Sequence, residues 1–170
     1  MRHVSALAVA SLLVACSSPP GNQESAQPDS ATVSTDMGEA SSSVHADIQG
    51  VTISGGPGAY TLSVTIRSPD TGCDQYADWW EVLGEDGALL YRRILAHSHV
   101  DEQPFTRGGG PVDVQADTRI YVRAHMSVGG YGGQVFTGTA AGAFEAATDF
   151  DPSIAAAVET AQPQPDDCAF

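Results

Sequence analysis

The sequence predicts an all-β fold: an antiparallel sandwich of about seven short strands with a short helical tail at the C-terminus. Three observations carry this. Tyr60-Thr-Leu-Ser-Val-Thr-Ile-Arg67 alternates with period two, placing Tyr60, Leu62, Val64 and Ile66 on one face. Residues 119–127 repeat the pattern, with Ile120, Val122, Ala124 and Met126 inward and Tyr121, Arg123 and His125 outward. Asp86-Gly87, inside Gly84-Glu-Asp-Gly87, lies between two apolar stretches as a hairpin turn.

The elements follow in order. Met1-Arg2-His3 is a short basic start, and residues 4–15 form an apolar run of 12 residues. At 1.5 Å per residue that run is too short to span a hydrocarbon core of ~30 Å, and it fits the apolar region of a signal peptide. It ends in Leu13-Val14-Ala15-Cys16. This motif resembles the lipobox of bacterial lipoproteins. The resemblance implies cleavage after residue 15 and acylation of Cys16, with palmitate-type chains that anchor the protein to a membrane. More than one acyl chain gives stable anchoring, at ~0.8 kcal/mol per buried CH₂. Ser17, in place of Asp, implies by the same resemblance transport to the outer membrane. An ordinary secretory signal with a chance cysteine is the other reading.

Residues 16–45 form a tether. From Ser17 onward it holds eight Ser, three Pro and four acidic residues, and no aromatic residue. Such a segment buries too little apolar surface to offset its ordering entropy. It is expected to be a disordered spacer reaching roughly 30 Å.

Residues 46–140 are read as the sandwich. Strands are expected at 47–53, 60–67, 77–83, 88–95, 112–115, 119–127 and 134–139. Trp79 and Trp80 fall on opposite faces of the third. Residues 141–170 are read as a tail packed back on the domain. Within it Asp151 is placed to cap a short helix, with Pro152 at its first position.

Several stretches resemble a fibronectin type III or immunoglobulin-like domain. Thr61-Leu-Ser-Val-Thr65 is similar to its second strand and Trp80-Glu-Val82 to its third. Asp117-Thr-Arg-Ile-Tyr-Val-Arg-Ala124, followed by Gly129-Gly-Tyr-Gly-Gly133, resembles its sixth strand and the loop into its seventh. Trp-Trp-Glu-Val, His-Ser-His-Val-Asp-Glu-Gln-Pro-Phe and Ala-His-Met together also resemble a family of uncharacterised bacterial secreted proteins, which implies no activity.

Three cysteines are present. With Cys16 assigned to lipid, Cys73 and Cys168 read most simply as a disulfide in an oxidising compartment. Two free thiols, or an intermolecular bridge through Cys168, are the alternatives.

Charge narrows the partners. Seven arginines and no lysine face 21 acidic residues, a formal charge of −14. That excludes nucleic acid, which is bound by neutralising phosphates, and attraction to anionic lipid. Membrane attachment is expected through the lipid anchor alone.

One stretch suggests chemistry: His97-Ser-His99-Val-Asp101. In an extended chain these three side chains share a side, and imidazole with carboxylate suits copper or zinc. His125, beside Met126, offers a further ligand. The competing reading is a hydrogen-bonded loop, with Asp101 or Glu102 on Arg107, and His-x-His lacks the closing signature of a strong zinc site. Trp79 or Trp80, with Tyr76 and Tyr131, is a candidate platform for an envelope protein or glycan. Gly108-Gly-Gly110 and 129–133 read as turns, because neither opens a helix. Ser98 lies in no nucleophile motif, and the acidic pairs are adjacent in sequence, so no catalysis is expected. The sequence therefore reads as a cell-envelope lipoprotein acting as a non-catalytic binding or structural module. A periplasmic copper- or zinc-binding lipoprotein is the alternative.

Overall fold

The computed structural model describes residues 44–169. The signal sequence, Cys16 and most of the tether lie outside the described residues. Eight strands form: β1 (Asp47–Gly56), β2 (Ala59–Arg67), β3 (Ala77–Gly84), β4 (Leu89–Ile94), β5 (Phe105–Val112), β6 (Ile120–Met126), β7 (Phe136–Gly138) and β8 (Phe144–Ala146). A 3₁₀ segment, Pro152–Val158, follows. One sheet has the order β1-β2-β5 and the other β4-β3-β6-β7-β8, with antiparallel pairing throughout. The first, second and fifth strands thus face the third, sixth and seventh, as in immunoglobulin-like sandwiches.

The core forms where the alternation places it. Tyr60, Leu62, Val64 and Ile66 of β2 meet Trp80 and Val82 of β3 and Ile120, Val122, Ala124 and Met126 of β6 in one buried cluster. Burial of each such aliphatic side chain contributes about 1.5–3 kcal/mol. The hairpin from β3 to β4 closes through Gly84 N–H donating to Ala88 O (2.9 Å) and Gly87 N–H to Gly84 O (3.0 Å). Gly87 has φ of +79°, which favours glycine, and the backbone of Ile154 packs where a Cβ would stand.

The structure departs from the sequence reading in four places. Gly108-Gly-Gly110 is not a turn but the middle of β5. A Cβ at Gly109 would lie 2.8 Å from Trp80 and Tyr91, so glycine lets the sheets close over those rings. The strand expected at 112–115 accordingly ends at Val112. Residues 97–101 are loop, not extended strand. Strand pairing also continues past residue 140, because β8 adds to β7.

The fourth departure concerns the outward faces of β3 and β6, which are buried along their whole lengths. The C-terminal segment covers them. Ala155, Val158 and Phe150 pack on Leu83 and Tyr121 in a second apolar cluster. Asp151 caps the 3₁₀ segment as expected, its carboxylate accepting from Ser153 N–H at 2.9 Å. Cys73 and Cys168 are joined, with Cα atoms 5.5 Å apart and a sequence separation of 95.

Candidate functional site

Two regions gather the polar side chains. The first is the histidine loop after β4. Asp70 organises it: Oδ1 accepts from Ser68 Oγ (2.6 Å) and Ala77 N–H (2.9 Å), and Oδ2 from His99 N–H (2.8 Å). Gln103 completes the latch, donating to His99 O and Ser68 Oγ and accepting from Ser68 N–H. The His99 ring stacks on Phe105 at 3.8 Å. Both of its nitrogens are buried without a hydrogen-bond partner among the described residues. Burial lowers its pKa, helped by the charge of Arg107 and by His97. His97 and Asp101 are exposed beside it, with the His97 and His99 ring centroids 4.6 Å apart. Glu102 pairs with Arg107 at 2.7 Å.

His125 does not join this loop. Its Nδ1 is 2.7 Å from Asp78 Oδ1 and its ring stacks on Trp79 at 3.6 Å. Met126 faces the core. Among the described residues no group of three or more His, Cys, Asp or Glu is arranged to hold a metal. The expected set of His97, His99, Asp101 and His125 is therefore not assembled. The loop turns where an extended strand would have aligned the first three, and the fourth is held by Asp78.

The second region lies on the outer face of the larger sheet. Register places Glu81 of β3 directly between Arg92 of β4 and Arg123 of β6. Glu81 is fully buried, and four hydrogen bonds satisfy its carboxylate. Oε2 accepts from Arg92 Nε (2.8 Å) and Nη2 (2.6 Å). Oε1 accepts from Arg123 Nε (2.7 Å) and the Tyr131 hydroxyl (2.8 Å). Trp79 Nε1 donates to that same hydroxyl at 3.0 Å. The Tyr131 pKa is raised, first by burial and then by the Glu81 carboxylate. Arg92 also donates to the carbonyls of Val158, Ala161 and Pro163, and Arg123 to that of Ala155. The network thus ties the sheet to the C-terminal segment.

This arrangement corrects the aromatic platform. Trp79 is 3% exposed, packed by His125, Tyr131 and the Arg92 guanidinium. Trp80 lies in the core and Tyr76 is buried. Only Tyr131 remains partly open. Its ring lies 3.5 Å from the Arg123 guanidinium and borders a cleft of about 380 Å³. Sequence reasoning missed Glu81, Arg92 and Arg123. The available signal was opposite charge at period-two positions of adjacent strands.

The chain is similar to a protein of Halomicrobium mukohataei named "Putative lipoprotein". The two are 42% identical over 90 residues, which is 52% of this chain. The match covers 44% of that relative, so the chain spans about half its length. No protein family and no solved structure matches the chain. No helix among the described residues is long and apolar enough to cross a membrane.

Proposed function

We propose that the protein is an exported lipoprotein, anchored to the cell envelope through Cys16, that presents its β-sandwich as a non-catalytic binding module. The observation that carries this is the Cys73–Cys168 disulfide. Structural disulfides persist in oxidising compartments and are rare in the cytosol. With those two sulfurs joined, Cys16 is the remaining cysteine of the three, and it closes the lipobox-like motif. The name of the relative is in keeping with this reading. Placement at the outer membrane rests on Ser17 alone. The non-catalytic role is supported by the saturated Glu81 network, whose carboxylate has no lone pair left for a substrate.

Cell fractionation with a palmitate analogue tests the anchor. Wild-type protein is expected in the membrane fraction carrying label, and Cys16→Ala free of label and released from the membrane. A variant that keeps its label, or a wild type that never acquires it, overturns the reading.

A further inference from the structure

We propose that the cleft beside β6 binds a neutral carbohydrate, one sugar residue of an envelope glycan. The proposal deepens the binding-module reading and rests on it. The cleft exists because the sheet splits. β6 pairs with β7 only from Ile120↔Gly138 to Val122↔Phe136, and contact resumes at the isolated bridge Met126↔Gly130. Between these points the chain from Tyr131 to Val135 leaves the sheet and forms one wall. At Gly132 and Gly133 a side chain would run into His45 and Ala46, so the wall is bare backbone at those two positions. The opposite wall is the 147–152 segment, with Thr148 and Phe150. The resulting cavity of about 380 Å³ falls at the small end of the range of roughly 300–1,000 Å³ usual for ligand pockets.

The polar atoms that reach this cleft are of mixed type. Arg123 is 3% exposed and lines it. Its Nε goes to Glu81 and its Nη2 to Ala155 O, which leaves Nη1 without a hydrogen-bond partner among the described residues. Nη1 is thus the guanidinium nitrogen of this cleft-lining arginine that remains for a ligand. Gln134 uses its Nε2 on Val135 O and keeps Oε1 unengaged among the described residues. The Thr148 hydroxyl makes no hydrogen bond among them. One fixed donor, one acceptor and one hydroxyl stand beside the rings of Tyr131 and Phe150.

Charge selects the ligand class. Arg123, the cationic side chain that lines the cleft, is paired with the Glu81 carboxylate at 2.7 Å. The chain as a whole carries −14, and Asp149 and Asp151 flank Phe150. An anion is therefore repelled at long range and finds Arg123 already neutralised. A cation finds no carboxylate among the residues that line the cleft. A neutral polyol meets neither penalty. Its hydroxyls donate and accept, matching Nη1, Oε1 and the Thr148 hydroxyl, and its C–H face covers an aromatic ring.

The test uses the full-length protein in a zwitterionic detergent without a sugar head group. Probes are the methyl glycosides of glucose, galactose, mannose and N-acetylglucosamine, with acetate as the anionic control. Binding is read by saturation-transfer NMR and tryptophan fluorescence, because Trp79 donates to the Tyr131 hydroxyl. At least one glycoside is expected to bind saturably with Kd on the order of 1 mM. Thr148→Trp, an exposed position whose larger side chain fills the cleft, is expected to weaken binding at least about tenfold (~1.4 kcal/mol) with an unchanged melting temperature. Phe150→Ala is expected to weaken it as well. No glycoside binding to the wild type, binding that survives Thr148→Trp, or competition by acetate overturns the proposal. Palmitate labelling of Cys16 is independent of all three outcomes, so failure of the sugar site and failure of the lipoprotein reading are distinguishable.

Discussion

Glu81 is the residue on which the outer face of the larger sheet depends. Its carboxylate is the shared counter-charge of two arginines, Arg92 and Arg123, that are 5% and 3% exposed. Removing one partner of a buried ion pair leaves charge uncompensated at low dielectric, which costs about 3–5 kcal/mol. Glu81→Gln is therefore expected to destabilise the protein by about that amount in urea unfolding. A double variant with apolar residues at Glu81 and Arg92 would recover part of the loss. His99 gives a different residue-scale prediction. Its folded pKa is lowered by burial, so the unfolded chain binds the proton more readily. The His99 contribution to stability is thus present above the ordinary histidine value of about 6.5 and is lost as pH falls through it toward the folded value. His99→Phe, which keeps the stack on Phe105, is expected to flatten the thermal midpoint between about pH 7 and pH 5. An unchanged slope would rule this out. This face was legible in part: alternation put Trp79 and Trp80 on opposite faces of β3 without deciding which of them is core. What strand periodicity cannot show is which outward face another segment covers, and so Arg123 and His125 read as outward and one of the two tryptophans as a platform.

The C-terminal segment is the element that covers that face, and three features hold it. Arg92 bonds three of its carbonyls, Ala155 packs beneath it, and Cys168 ties its end to Cys73. In the chain-entropy account, cross-linking a loop of this length removes roughly 4–5 kcal/mol of denatured-state freedom. Replacing both Cys73 and Cys168 by Ser is expected to cost about 2–5 kcal/mol. Hydrogen exchange should locate the consequence, with amides in residues 155–169 losing protection before those of β2 and β3. Uniform loss across the sandwich would mean that the segment is not a separately held strap. The pairing of Cys73 with Cys168 was legible from cysteine count and compartment. The strands were legible wherever alternation runs long, as in β2 and β6. β5 was not, because Gly108-Gly-Gly110 carries no side chains to alternate; those glycines serve close packing against Trp80 and Tyr91, a tertiary fact. β8 spans three residues, too few to show a period.

At the scale of the whole molecule the governing quantity is charge. The tether holds four of the 21 acidic residues, so most of the −14 sits on the sandwich and its C-terminal segment. Compaction brings those carboxylates together, and like-charge repulsion opposes folding. Salt acts on this repulsion and on the attractive pairs in opposite directions. The exposed pairs Arg107–Glu102 and Arg119–Asp149 are each worth about 0–1 kcal/mol and weaken as salt rises. The buried Glu81 network is shielded from mobile ions and changes less. Two weak attractions set against a large surplus of one sign leave screening of the repulsion as the larger effect. The thermal midpoint is therefore expected to rise with sodium chloride from about 10 mM, where the Debye length is ~30 Å, to about 1 M, where it is ~3 Å. Most of the gain should arrive in the first part of that range, and an uncharged osmolyte of equal osmolality should not reproduce its curvature. A midpoint that falls with added salt would instead place the balance of stability in the ion pairs.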